Sequence, residues 1–409
     1  MFPVRIIYHG DYIPAIFNVW RGYGRLFQMK HGSIQKIIFP YLLKHNPGAK
    51  TAVFFGTDFY NLPLGSDHES FIRQTNAMLA YIKENLPTHR LLYQQHPNET
   101  DEYTKLNLSG FEVGKRTVAD FLLFHGEGEI DWVFASCSWA AASAYAMGYR
   151  AAIFLDLMKG SVPDETIEGY RSYFKGLPDS FFIRSFDAPL PDSRRKYIED
   201  EAKTMEKIME AVGKPETLWF IASDPAYVMR DAIIIANLRR TRDLKTGLLM
   251  IEHTRWDLVK NDPLFSVFDT MITVPFVWQT ARPIGIVKAL LAAFSLSRLP
   301  IKRGDTLISF AHEQFAENCI LSWYDVRSIL MTENRWYYFT YENEGGGLPK
   351  NEFRGSLGLF VFNHFVEPLL RLFKTTYLEY KDGKVVNIVR YQKPLQDIYD
   401  TVFVIMPPK

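Results

Sequence analysis

The chain reads as an α/β protein made of two successive halves of the same rhythm. Short apolar runs alternate with helical patterns along most of its 409 residues, a length that suits two domains at roughly 100–200 residues each. A polar, proline-marked stretch interrupts the alternation near the middle, and the alternation then restarts. Strands separated by helices of roughly 10–20 residues indicate a parallel sheet covered on both faces. Two Rossmann-like domains facing each other across a cleft is the simplest architecture, with ligands at the carboxyl ends of the strands.

In the first half the runs are Val4–Tyr8, Ala52–Phe55, Leu91–Tyr93, Trp132–Ala135 and Ala151–Leu155, and helices are predicted over Glu69–Leu86 and Ser138–Met147. Pro189, Pro191 and Asp192 lead into a charged helix expected from Ser193 to Val212, which Gly213-Lys214-Pro215 breaks. The boundary is placed there, giving domains of residues 1–212 and 213–409. In the second half Leu218–Ser223, Leu248–His253, Thr270–Pro275 and Thr306–Ala311 read as strands, with a helix over Ala226–Arg240. Ile284–Leu299 carries Lys288 and Arg298 and has the pattern of an amphipathic helix, buried on one face or resting on a membrane surface. Tyr377–Tyr380 and Val385–Arg390 flank Lys381-Asp382-Gly383-Lys384, and Asp-Gly between β-type runs signals a hairpin.

Lys and Arg number 47 against 46 Asp and Glu, a net charge of +1, which argues against a dedicated nucleic-acid binder and a disordered polyelectrolyte. The 31 Phe, 22 Tyr and 8 Trp fit either a large core or aromatic-lined clefts that take sugars or nucleobases. Two cysteines, Cys137 and Cys319, are too few for a disulfide scaffold or a Cys-based zinc cluster and point to a reducing compartment. No signal peptide and no transmembrane run is visible, so a cytoplasmic location is expected.

Glycine-rich dinucleotide and P-loop signatures are missing, as are GxSxG and HExxH. What stands out is a pair of loops. Leu91–Tyr93 runs into Gln94-Gln95-His96-Pro97, and the proline holds His96 extended at the strand's end, where an imidazole can donate to a phosphate or act as an acid; a plain loop histidine is the alternative. Forty residues after His96, Trp132–Ala135 ends in Ser136-Cys137-Ser138 before the small-residue helix, a phosphate site or a plain N-cap.

Together these loops resemble the bacterial GT-B glycosyltransferases that use CMP-activated sialic acid or Kdo, whose nucleotide domain carries a His-Pro motif and then a paired Ser/Thr motif before a helix. The likeness covers residues 51–155, with Ala52–Phe55, Gly56, Thr57 and Asp58 as the opening strand and loop; Cys137 separates serines that are adjacent in the family. The resemblance implies that His96, Pro97, Ser136 and Ser138, with Gly56 and Thr57, face the donor nucleotide. It implies no cofactor beyond the CMP-sugar co-substrate and a glycan or glycolipid acceptor handled at the inner face of a membrane. In the family the acceptor domain comes first; here the His-Pro domain is N-terminal, as in a circular permutation.

The family's acidic-acidic-Gly motif resembles Glu342-Asn343-Glu344-Gly345 after Trp336–Tyr341, so Glu342 or Glu344 would be the base, although three glycines also suit a flexible loop. Asp224 and Glu313 also follow predicted strands, as a base, an N-cap or surface. Glu127, before the serine strand, would hold a ribose or sit in a solvated turn, and Asp11 is a weaker candidate. Arg21, Arg25, Lys30 and Lys36 interleave with aromatics and would meet an anionic acceptor or form a solvated helix face. No metal is expected, because no His/Asp/Glu group has ligand spacing after a strand.

Overall fold

The computed structural model describes residues 30–41, 46, 48–58, 62, 65–99, 101–195, 201–252, 254–277, 283–310, 315–333, 350–352, 374–381, 384–391 and 395–407. Val4–Tyr8, Asp11, Arg21, Arg25, Glu313, Trp336–Tyr341, Glu342 and Glu344 lie outside these residues.

The described residues form two parallel sheets and one small antiparallel sheet. In order, the elements of the first half are β1 (Ser33–Ile37), β2 (Thr51–Phe55), α1 (His68–Asn85), β3 (Arg90–Gln94), β4 (Phe111–Gly114), α2 (Ala119–His125), β5 (Ile130–Ala135), α3 (Trp139–Met147), β6 (Arg150–Ile153) and α4 (Asp164–Tyr173). The second half contains α5 (Glu201–Val212), β7 (Thr217–Ala222), α6 (Val228–Arg239), β8 (Lys245–Ile251), β9 (Thr270–Val274), α7 (Pro283–Leu296), β10 (Thr306–Ser309), α8 (Phe315–Trp323) and β11 (Arg327–Glu333). It ends with β12 (Lys350–Glu352), β13 (Lys374–Lys381), β14 (Lys384–Tyr391), α9 (Leu395–Ile398) and β15 (Thr401–Ile405).

The first sheet runs β4-β3-β2-β5-β6, every pair parallel. The chain winds outward from β2 to β4, then returns to β5 on the other side. The direction of winding therefore reverses between β2 and β5, where a doubly wound sheet opens a crevice at its carboxyl edge. All six residues of β5, Ile-Asp-Trp-Val-Phe-Ala, are buried, as a central strand covered on both faces requires.

The second sheet runs β1-β15-β11-β10-β7-β8-β9, again all parallel, with its reversal between β7 and β10. Alternate residues of β7 serve two cores: Leu218, Phe220 and Ala222 join one apolar cluster, Trp219 and Ile221 the other. The first of these clusters is continuous with the core of the first sheet, through Val53, Val133 and Ile153. Helix α2 packs on α6, and Phe121 stacks on Phe265 with centroids 5.9 Å apart.

Several local expectations need revision. Strand β1 pairs with β15, so a segment before residue 212 extends the second sheet. Lys30 is tied to that same edge, its Nζ donating to Val326 O, Ser328 Oγ and Asp400 Oδ2 at 2.7–2.9 Å, which leaves no ammonium offered to an acceptor. The helix expected from Ser193 is described only from Glu201; Arg194 forms a bridge with Arg150 and an ion pair with Asp131 that hold this stretch extended along β6. The run Ala151–Leu155 stops as a strand at Ile153, and Leu155 opens a 3-10 turn. The hairpin forms as expected, Lys381 pairing with Lys384 across two residues. Helix α7 buries Ala289, Ala292, Ala293 and Leu296 and exposes Val287 and Leu291. Among the described residues no helix is long and apolar enough to cross a membrane.

Candidate functional site

One cavity of ≈ 340 Å³ lies at the carboxyl edges of both parallel sheets. Gly56 follows β2, His96 follows β3, Ser138 follows β5, Asp224 follows β7, Arg255 follows β8 and Glu333 ends β11; all line it. It is also lined by the starts of three helical segments: Ala119 and Asp120 of α2, Trp139 and Ala140 of α3, and Ala226 and Tyr227 ahead of α6. Of these, α3 is long enough for its start to carry the positive end of the peptide dipoles, which favours anions.

His96 is held by its own loop. Its backbone N–H donates to Glu99 Oε2 at 2.9 Å, and its Nδ1 accepts the Asn98 backbone N–H at 3.2 Å. With Nδ1 an acceptor, the ring proton sits on Nε2, so a neutral His96 offers one donor. Burial holds its pKa below the usual imidazole value; Asp58 opposes this and Arg255 adds to it. Glu99 has no solvent exposure, and its Oε1 accepts the Tyr93 hydroxyl at 2.7 Å. A Cβ at position 56 would lie 2.5 Å from that hydroxyl oxygen and 2.6 Å from Glu99 Oε2, so any larger residue would have to push the Tyr93–Glu99 pair aside.

Ser138 is both cap and cavity wall: it is the N-cap of α3, its Oγ accepting the Ala140 N–H at 3.3 Å. Gly148 closes that helix with φ of 100°, a left-handed conformation that glycine adopts without strain. Ser136 is placed differently from expectation. It is fully buried, its Oγ bonds Thr57 Oγ1 at 3.5 Å across the β2–β5 crevice, and it lines no cavity described here. Thr57 lines a smaller adjoining cavity of ≈ 180 Å³ with Asp58, Tyr170, Gly56, His96 and Ser138, whereas Pro97 lines the larger one. Glu127 lies in an exposed turn, as the second of its two readings had it, and not at a ribose. It precedes β5 and is exposed at the amino edge of the sheet, opposite the cavity, because a residue ahead of a parallel strand starts from the other rim.

On the second-half side, Asp224 Oδ1 caps the Ala226 N–H at 2.9 Å and its Oδ2 pairs with Arg255 Nη1 at 2.7 Å. Arg230, on the first turn of α6, is 4% exposed; its Nη2 donates to Glu333 Oε1 at 2.7 Å and its Nε to Tyr41 Oη at 3.1 Å. The carboxylate that sequence reasoning missed is Asp120. Burial pushes its pKa up to about 6; Arg230 opposes this, Asp224 and Glu333 add to it, and a hydrogen bond from Ser143 opposes it. The signal was present: Val118-Ala119-Asp120 opens a short helix just before the serine strand, but α2 is seven residues long and shows no helical period in sequence.

Among the described residues, no group of three or more His, Cys, Asp or Glu is placed to hold a metal ion. Cys137 and Cys319 are free thiols, and burial pushes Cys137 up to about 12. No protein-family model, curated protein or solved structure matches the chain.

Proposed function

We propose that the chain is a GT-B-type glycosyltransferase that moves an acidic sugar of the Kdo or sialic acid type from a CMP-sugar to a glycan or glycolipid acceptor, at the cytoplasmic side of a bacterial membrane. The observation that carries this reading is the cavity in which His96, Ser138 and Asp120 of the first half meet Asp224 and Arg230 of the second. A CMP-sugar presents one phosphate. His96 Nε2–H, the Ser138 hydroxyl and the start of α3 supply the neutral donors that one phosphate accepts.

In the proposed reaction the acceptor oxygen attacks the anomeric carbon and the bond from that carbon to the phosphate oxygen breaks. The phosphate oxygen keeps the electron pair and leaves as CMP. The acceptor proton passes to the Asp120 carboxylate. A carboxyl titrating near 6 suits a base that works at neutral pH. Asp224 is the poorer base, since both its oxygens are engaged by Ala226 N–H and Arg255.

The test is transfer or hydrolysis of a CMP-linked acidic sugar by the purified protein, with CMP and UDP as competitors. Inhibition by CMP and loss of turnover in His96→Ala support the reading. Inhibition by UDP alone favours a UDP-sugar enzyme, and nucleotide binding without turnover in any donor favours a binding protein.

A further inference from the structure

The environment of Arg230 goes beyond what a structural ion pair requires. Its Cζ lies 5.8 Å from the ring centre of Phe39, 5.9 Å from Tyr41, 6.0 Å from Tyr227 and 5.6 Å from Phe310. Glu333 and Tyr41 fix two of its three nitrogens, so the guanidinium has one position. The third nitrogen, Nη1, is buried and has no hydrogen-bond partner. Buried donors on charged groups are costly to leave unpaired, and native structures leave few of them. Arg230 is also part of the cavity wall, on the second-half side, while His96 and Ser138 stand on the first-half side.

We propose that Arg230 Nη1 anchors the carboxylate of the donor sugar, an assignment that rests on the acidic-sugar reading above. Two anion-recognising groups in one cavity match a donor that carries two anions close together. In Kdo and sialic acids the carboxylate is bonded to the anomeric carbon, the same carbon that bears the phosphate. A guanidinium is suited to carboxylates because its N–H groups form a planar fork, and a low-dielectric ring cage strengthens the bond. Asp120 and Glu333 oppose a further anion at this spot, and the start of α3 in the same wall favours one. The arrangement gives discrimination against neutral sugars, since a neutral donor would leave Nη1 unpaired.

The experiment compares three probes on the full chain by calorimetry: CMP, a CMP-linked sialic acid or Kdo, and that same CMP-sugar with its carboxylate converted to the amide. The expected result is that the acid binds more tightly than CMP and that amidation weakens it roughly 10- to 150-fold, the range for loss of a charge-assisted bond. In Arg230→Lys the gap between acid and amide should narrow, because the ammonium keeps the charge and loses the fork, while CMP still binds, which also shows that the nucleotide site is folded. If Arg230→Lys fails to fold, the comparison of acid with amide in the unaltered protein decides the matter. Equal binding of acid and amide there, with both tighter than CMP, overturns the role of Arg230 and leaves the CMP-donor reading intact. Failure of all three probes to bind overturns the donor reading itself.

Discussion

The Glu99 carboxylate accepts the backbone N–H of His96 at 2.9 Å from a position with no solvent exposure. A buried acceptor three residues downstream thus fixes the turn that presents the imidazole, and the Asn98 N–H on Nδ1 fixes its tautomer. Loop position and ring proton are both set before any ligand arrives, which lowers the cost of binding.

His96→Ala should therefore weaken CMP binding and turnover while the melting temperature stays close to that of the unaltered chain. Loss of a charge-assisted hydrogen bond is worth about 1.5–3 kcal/mol, roughly 10- to 150-fold. His96→Asn, which keeps a short donor, should recover part of the loss. Unchanged CMP affinity in His96→Ala would remove the donor site from this loop.

Gly56→Ala tests the packing behind the same loop. The new Cβ would lie 2.5 Å from Tyr93 Oη and 2.6 Å from Glu99 Oε2, and both atoms are held by their mutual hydrogen bond. Overpacking of this kind costs typically 1–3 kcal/mol. The expected outcome is a lower melting temperature together with weaker CMP binding, because the displaced Glu99 releases the His96 N–H. Normal stability in the variant would show that the Tyr93–Glu99 pair yields easily.

Much of this frame was legible in the sequence. The apolar runs Leu91–Tyr93, Trp132–Ala135 and Leu218–Ser223 lie in parallel strands, and parallel strands put the residues that follow them on one rim, which is why His96, Ser138 and Asp224 could be read as facing a common cleft. Ser136 could not be separated from Ser138, because two residues apart along a strand end the side-chain direction depends on where the strand stops. Glu127 takes the second of its two readings, an exposed turn: three residues ahead of β5 is the amino rim, away from the cavity. Arg230 was invisible because it lies inside the apolar run Ala226–Leu238, where an arginine looks like helix surface until Tyr41 and Glu333, distant in sequence, close around it. The pairing of β1 with β15 was equally hidden, since nothing local specifies the partner of an edge strand.

Asp224 and Arg255 should prove to be positioning residues. The pair is only partly exposed, with side chains 26% and 31% accessible, and Asp224 also caps the helical segment leading to α6. Asp224→Asn keeps the capping oxygen and should cost little stability, whereas Asp224→Ala should lose about 0.5–2 kcal/mol for the cap alone. Both variants should keep CMP affinity within a few fold. A rate loss in Asp224→Asn as large as about 10²–10⁴-fold would instead make Asp224 the base.

Asp120→Asn carries the sharpest expectation because activity and stability move in opposite directions. Burial raises the Asp120 pKa to about 6, so the carboxylate exists mainly above that pH. Transfer by the unaltered chain should then rise through a limb near pH 6 in kcat/KM, and Asp120→Asn should lose that limb and about 10²–10⁴-fold in rate, with CMP affinity kept. The stability effect has the opposite sign. Unfolded aspartate titrates near 3.9, so between about pH 4 and 6 the folded chain holds the extra proton, and stability falls as pH rises across that window. The asparagine variant has no charge to bury there. Its melting temperature should exceed that of the unaltered chain at pH 7.5, and the difference should shrink toward pH 4. A variant that transfers normally at pH 7.5 would show that Asp120 is not the base, and one whose melting temperature tracks the unaltered chain at every pH would show that it is not a costly buried charge.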